Sequence, residues 1–231
     1  MINFIKKIYY LKYTNKSYSI SFVDLVINRI FSKLKKGIYV DLGCNHPIKY
    51  NNTYLLYKKG WTGINIDSDE TSIKEFNKFR KKDTNINAIV SDKNKSVKYY
   101  YYHDRSALNT VDASLVKNRK KKPKKVLIKK TTTLNQIIQN SPYKNKKINF
   151  LSVDIENHEY EALRNFKFHK YKIDIIVIEI LNFKTKRLET QNQNLKKIIK
   201  SKIYKLLTKN NYKLINWINS DFVFIYKNSK I

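Results

Sequence analysis

The chain has 231 residues, enough for one domain of ordinary size with little left over for a second. Hydrophobic residues make up 42%, which supports a core, and the single cysteine, Cys44, excludes an intrachain disulfide or a cysteine-based zinc site. The 48 Lys and Arg outnumber 18 Asp and Glu for a formal charge of +30, and no apolar run approaches the ~18 residues that span a bilayer.

Only six of the 48 basic residues are arginine, whereas recognition of phosphate or nucleic acid usually favours the bidentate arginine fork. Lys, Asn, Ile and Tyr are raised together along the whole chain, as an A/T-rich coding sequence would produce. The functional alternative is a surface that attracts a phosphorylated carrier, a membrane face or nucleic acid. Lys6, Lys7 and Lys12 interrupt the stretch where a signal peptide would be apolar. A cytoplasmic protein is therefore expected, peripheral at most to the inner face of the membrane.

Residues 1–36 read as a helical lead-in and residues 37–231 as one domain. IYVDLG after Gly37 is a buried strand, and NNTYLLYKKG a helix closed by Gly60. TGINID is a strand, ETSIKEFNKF a helix, INAIVSD a strand, and SVKYYYYH a weaker strand. Residues 104–130 form an irregular basic loop containing KNRKKKPKK. TTTLNQIIQ then reads as a helix, INFLSVDIE as a strand, HEYEALRNF as a helix and KIDIIVIEI as a strand. A long polar helix over residues 187–209 leads into a terminal antiparallel hairpin, YKLINWIN and DFVFIYKN.

Strands alternating with helices predict an α/β sheet covered on both faces, with ligands at the carboxyl ends of its strands. Carboxylates recur there: Asp41 after the first strand, Asp67 after the second, Asp92 after the third, Asp154 and Glu156 after the fourth, Glu179 after the fifth. A glycine-bearing turn followed by an acidic residue ending the second strand outlines a nucleoside-cofactor site. The turn DLGCNHP lacks the further glycines of a dinucleotide fingerprint and carries its own carboxylate. It suits a positively charged cofactor such as S-adenosylmethionine.

GIYVDLGCNHPIKYNNTYLLYKKGWTGINIDSD, INFLSVDIENHEYEAL and IIVIEI, in this order, resemble the FkbM-type S-adenosylmethionine-dependent methyltransferases. The upstream YSISFVDLVINRIF is similar to that family's lead-in helix, so the resemblance spans residues 18–226. It implies the Rossmann-like class I methyltransferase fold, a seven-stranded sheet, mostly parallel, with an antiparallel last strand. It also implies a cofactor site with Asp41, Gly43 and Asn45 around the methionine part and Asn52 and Thr53 at a helix N-terminus facing its carboxylate. Asp67, with Ser68 beside it, would hold the ribose, and Ser91 with Asp92 would flank the adenine.

Asp154, Glu156 and Glu159 match the family's acidic motif, and Glu179 its downstream carboxylate. Asp154, Glu156, His158 and Glu179 are the catalytic candidates, for positioning the acceptor and removing its proton. Asn157 stands where the family motif has glycine, and Asn tolerates the positive φ such a turn needs. Cys44 fits as a small apolar filler. Asp154, Glu156 and Glu179 also offer hard oxygen ligands to Mg²⁺, whereas the four histidines, His46, His103, His158 and His169, show no metal-ligand spacing.

DIEN after the fourth strand, with no Pro-Pro pair, disfavours nucleobase amino-methylation. That favours O-methylation, and the family resemblance implies the same, with hydroxyls of a sugar, glycan or small metabolite in polysaccharide or secondary-metabolite biosynthesis as acceptors; the basic surface would suit an anionic or carrier-linked one. Two other readings compete. One is an RNA methyltransferase stacking bases on Tyr99 to Tyr102 beside the basic loop. The other is a non-enzymatic basic protein that binds membranes through MINFIKKIYYLKY.

Overall fold

The computed structural model describes residues 15–180 and 195–231. Its elements in chain order are α1 (Val23–Ile30), β1 (Ile38–Leu42), α2 (Tyr54–Lys58), β2 (Thr62–Asp67), α3 (Glu70–Phe79), β3 (Thr84–Asn87), β4 (Ile89–Val90) and β5 (Ser96–Tyr101). There follow α4 (Ala113–Asn118), β6 (Lys125–Thr132), α5 (Leu134–Gln139), β7 (Phe150–Val153), α6 (Glu159–Leu163), α7 (Phe168–Tyr171) and β8 (Ile175–Glu179). The chain closes with α8 (Leu195–Lys200), α9 (Lys202–Lys209), β9 (Tyr212–Ile218) and β10 (Asp221–Tyr226).

Seven strands form the main sheet in the order β3-β2-β1-β7-β8-β10-β9. The first five run parallel, and β10 enters antiparallel to both β8 and β9. This is the expected class I methyltransferase arrangement, hairpin included. Its central strands are apolar on both sides because successive side chains point to opposite faces. Val40, Leu42, Leu151, Val153, Ile176 and Ile178 pack on one face with α5, α6 and α9. Tyr39, Phe150, Ile175 and Val177 pack on the other with α1 and α2.

Three expectations need correction. INAIVSD is not one strand: β3 extends the main sheet, while β4 joins a small sheet of order β4-β6-β5. Ala88 is the divide, donating its N–H to Asp67 O at 2.9 Å. The irregular region 104–130 contains α4 and most of β6, which pairs antiparallel with β5 from Lys125↔Tyr101 to Lys130↔Ser96. Its apolar run is only Val126, Leu127 and Ile128 between lysines, and the two-residue period shows in burial instead, with Leu127, Lys129 and Thr131 less exposed than their neighbours. The long polar helix breaks at Ser201, whose hydroxyl caps α9 by accepting from Tyr204 N at 3.2 Å. Residues 187–194 of that helix, and the aromatic basic N-terminal segment through Tyr13, lie outside the described residues.

Candidate active site

The carboxyl ends of β1, β2, β7 and β8 meet along one edge, where the turn after β1 sets the geometry. Gly43 N and Cys44 N both donate to Ile66 O, at 2.9 and 3.2 Å, drawing the turn onto the end of β2. Gly43 has φ +87°, and a Cβ there would fall 1.7 Å from the Asp154 carbonyl oxygen, so this close approach to the β7 turn requires glycine. Asn45, at φ +50°, donates its N–H to Asp67 Oδ2 at 2.8 Å, while Asp69 N donates to Oδ1 at 2.8 Å. Both carboxylate oxygens are thus oriented by backbone, and burial pushes the carboxyl up to about 6.

A cavity of about 260 Å³ opens over this edge. Gly43, Asn45, Asp67 and Ser68 line one side, and Asp154, Glu156, His158 and Glu179 the other. Ala88, Ile89, Val90 and Tyr99 add a largely apolar wall.

Five of the anticipated cofactor residues lie elsewhere. Asp41 is buried and accepts hydrogen bonds from Asn51 Nδ2 at 2.9 Å and Thr53 Oγ1 at 2.8 Å. Thr53 in turn receives Arg80 Nη2 at 2.8 Å, so Asp41 and Thr53 belong to an internal polar network. Asn52 donates to Ser152 Oγ at 3.1 Å, and α2 behind it has only five residues. Asp92 is ion-paired with Arg164 and with Lys95, the latter at 2.9 Å. The bonds from Lys95, Arg164 and Ser91 hold its carboxyl well below the usual range despite its burial. Ser91 donates to Asp92 Oδ1 at 3.0 Å and meets His158 Nε2 at 3.1 Å, placing the pair behind His158.

The acidic side has three environments. Glu159 Oε1 accepts from Ile155 N at 3.0 Å and Asn157 N at 3.2 Å, clamping the turn after β7, and burial raises its carboxyl to about 8. Glu156 pairs with Arg119 Nη2 at 2.6 Å. Asp154 and Glu179 remain for chemistry: Asp154 is open to the cavity, and Glu179 Oε2 is buried without a hydrogen-bond partner. Burial raises both, with repulsion from Glu156 adding to it at Asp154 and the nearby Asp154 adding to it at Glu179, so the pair retains a proton at neutral pH. Among the described residues, Asp154, Glu159 and Glu179 bring carboxylate oxygens within 4.8 Å of one another, close enough for a hard cation. Glu156, expected in that set, is replaced by Glu159.

Several contributors carried no legible sequence signal. Ser72, on α3, lines the cavity with a buried hydroxyl lacking a partner. Arg105, Ser106, Asn109 and Thr110 arch over the opening, tied down by Arg105 N to Asp69 Oδ2 at 2.9 Å and Thr110 Oγ1 to Glu156 O at 3.1 Å. Tyr99 was legible only as part of a tyrosine run. It is 2% exposed, with Lys129 Nζ 4.3 Å from its ring centre, and Tyr102 is 3% exposed, so neither offers an open outer surface on which an RNA strand could stack.

The residues fit a nucleoside-bearing cation. Asp67 presents two oriented acceptors to a ribose, the unpartnered Ser72 hydroxyl points to a missing polar partner, and the far wall is acidic. The family model described as methyltransferase FkbM domain matches residues 41–214. No curated protein matches the chain.

Proposed function

The chain belongs to the FkbM methyltransferase family, and from that premise we propose that it is an S-adenosylmethionine-dependent O-methyltransferase acting on a sugar, glycan or small hydroxylated metabolite. The observation carrying this reading is that one cavity is lined both by the oriented Asp67 carboxylate and by Asp154, His158 and Glu179. Asp67 holds the ribose, Asn45 and Gly43 shape the methionine end, and Ala88 to Val90 with Tyr99 bracket the base. When bound, S-adenosylmethionine would supply an electrophilic sulfonium methyl group for transfer to the acceptor oxygen, with the bonding pair left on sulfur.

The proton of the acceptor hydroxyl goes to His158. Asp92, held ionised, accepts the hydrogen bond donated by the Ser91 hydroxyl, so Ser91 Oγ must accept from His158 Nε2–H. That leaves Nδ1 with its lone pair. Burial lowers the His158 pKa, keeping the ring neutral and able to accept at neutral pH. Asp154 and Glu179 orient the hydroxyl and favour the cationic donor electrostatically.

The test is calorimetric titration with S-adenosylhomocysteine, followed by methyl transfer to a panel of hydroxylated acceptors. Micromolar binding in the wild type, weakened at least tenfold in Asp67→Asn, supports the reading. Absence of binding by folded wild-type protein would sink it.

A further inference from the structure

A second and larger cleft, of about 610 Å³, backs onto the same centre. It shares Val111, His158 and Glu179 with the first cavity, so those side chains form a partition between the two spaces. The far wall comes from the junction of α8 and α9, with Lys200, Ser201 and Lys202, and from Tyr160 on α6.

The charges in this cleft are unevenly matched. Asp112 accepts from Ser114 N at 2.6 Å and from the Asn157 side chain. Glu159 is occupied by Ile155 N and Asn157 N, and Glu161 pairs with Arg164 Nε at 3.2 Å. Each acidic group facing the cleft away from the partition therefore already has its partners. Lys200 and Lys202 are exposed and, among the described residues, have no carboxylate within 4.0 Å. Lys202 Nζ instead lies 5.5 Å from the centre of the Tyr160 ring. Among the described residues, the Lys200 and Lys202 ammonium groups stand without an ion-pair partner on the side of this cleft away from the donor cavity, while Asp112 is held by neutral donors.

We propose that this cleft is the acceptor site, and that Lys200 and Lys202 hold an anionic group, phosphate or carboxylate, on a hydroxylated acceptor whose reactive hydroxyl reaches the His158–Glu179 partition. The proposal deepens the methyltransferase reading and rests on it. Two ammonium groups suit such an anion as point charges, without the planar fork that arginine would impose. The Tyr160 face offers an apolar surface for a sugar ring between the anion and the hydroxyl.

The experiment is calorimetry on the full chain at fixed ionic strength, with glucose, glucose 6-phosphate and glucuronate as probes, in the presence and absence of S-adenosylhomocysteine. The proteins are wild type, Lys200→Gln/Lys202→Gln, and a Lys121→Gln/Lys122→Gln control that removes equal charge from the basic run. The expected result is that one anionic sugar binds more tightly than glucose, that the cleft variant weakens it about tenfold or more, and that the control does not. Which anionic sugar binds separates phosphate from carboxylate. S-adenosylhomocysteine affinity stays unchanged in the cleft variant. Equal loss in the control, equal binding of glucose, or competition between the anion and S-adenosylhomocysteine would overturn the proposal. Failure of wild type to bind S-adenosylhomocysteine, with lysine-dependent sugar binding intact, would instead strike the donor-cavity reading.

Discussion

Arg80 Nε sits 3.0 Å from Asp83 Oδ2, and neither side chain is exposed to solvent. The same guanidinium donates to Pro47 O at 2.9 Å, Thr53 Oγ1 at 2.8 Å and Tyr39 OH at 2.8 Å, and its carbon lies 4.4 Å from the centre of the Tyr57 ring. One buried arginine thus joins the turn after β1, the start of α2 and the end of α3. Removing one partner of such a pair leaves an uncompensated buried charge, at about 3–5 kcal/mol. Arg80→Met is therefore expected to lower the melting temperature by on the order of 10 °C and to loosen the turn that holds Asn45 against Asp67. Scanning calorimetry checks the first effect; an unchanged melting temperature would refute it.

His158 and Ser91 should separate kinetically. Loss of the base in His158→Ala should cost about 10²–10⁴ in kcat/KM and leave S-adenosylhomocysteine affinity intact. Ser91→Ala frees the imidazole to adopt the other tautomer. It should cost less, with kcat falling while KM holds, and ¹⁵N shifts of the His158 ring should show the proton leaving Nε2. A wild-type ring protonated on Nδ1 would contradict the assignment. The wild-type rate should fall on the acid side as the ring gains its proton, at a pH below the ordinary histidine value because burial lowers its pKa.

Stability of the ligand-free protein should fall as pH rises from about 4 to about 8. Burial raises Asp67 to about 6, Asp221 to about 7 and Glu159 to about 8. Across that window the folded chain therefore binds more protons than the unfolded one. The stability they contribute is complete below the unfolded carboxyl range and is lost as each folded pKa is passed. Melting temperature measured between pH 5 and pH 8.5 should decline, and Glu159→Gln should flatten the decline because the amide oxygen still accepts from Ile155 and Asn157 but carries no titrating proton. A rising profile would contradict the burial of these carboxyls.

Asn157 holds φ +71° beside Glu156 at +56°. Asn157→Ala should destabilise by about 1–2 kcal/mol, since a Cβ without a compensating side-chain bond is strained in that region. Asn157→Gly should be close to neutral, relief of strain offsetting the lost bond to Asp112. Urea unfolding distinguishes them; equal effects would show that the turn is not conformationally limited.

The short, nearly continuous apolar runs of β1, β7, β8 and β10 made the doubly covered sheet readable from sequence, because a strand buried on both faces carries that composition locally. The same holds for Gly43 and Asn157, whose residue types report φ directly. Asp67 was legible for a related reason: it terminates a strand, and strand ends converge on one edge. Which carboxylates face the cavity was a different matter. Asp41 and Asp67 occupy similar positions after their strands, but Asp41 turns toward Asn51, Thr53 and the side of Arg80, while Asp67 turns toward the opening. Ser91 and Asp92 were drawn behind His158 by Arg164, 72 residues beyond Asp92. The partition between two cavities likewise depends on α6, β8 and the α8–α9 junction meeting in space. Sequence determined the central strands, the terminal hairpin and the family; only the tertiary packing decided the division of INAIVSD, the pairing of β6 and the partners of each charged side chain, because long-range pairing has no local signature.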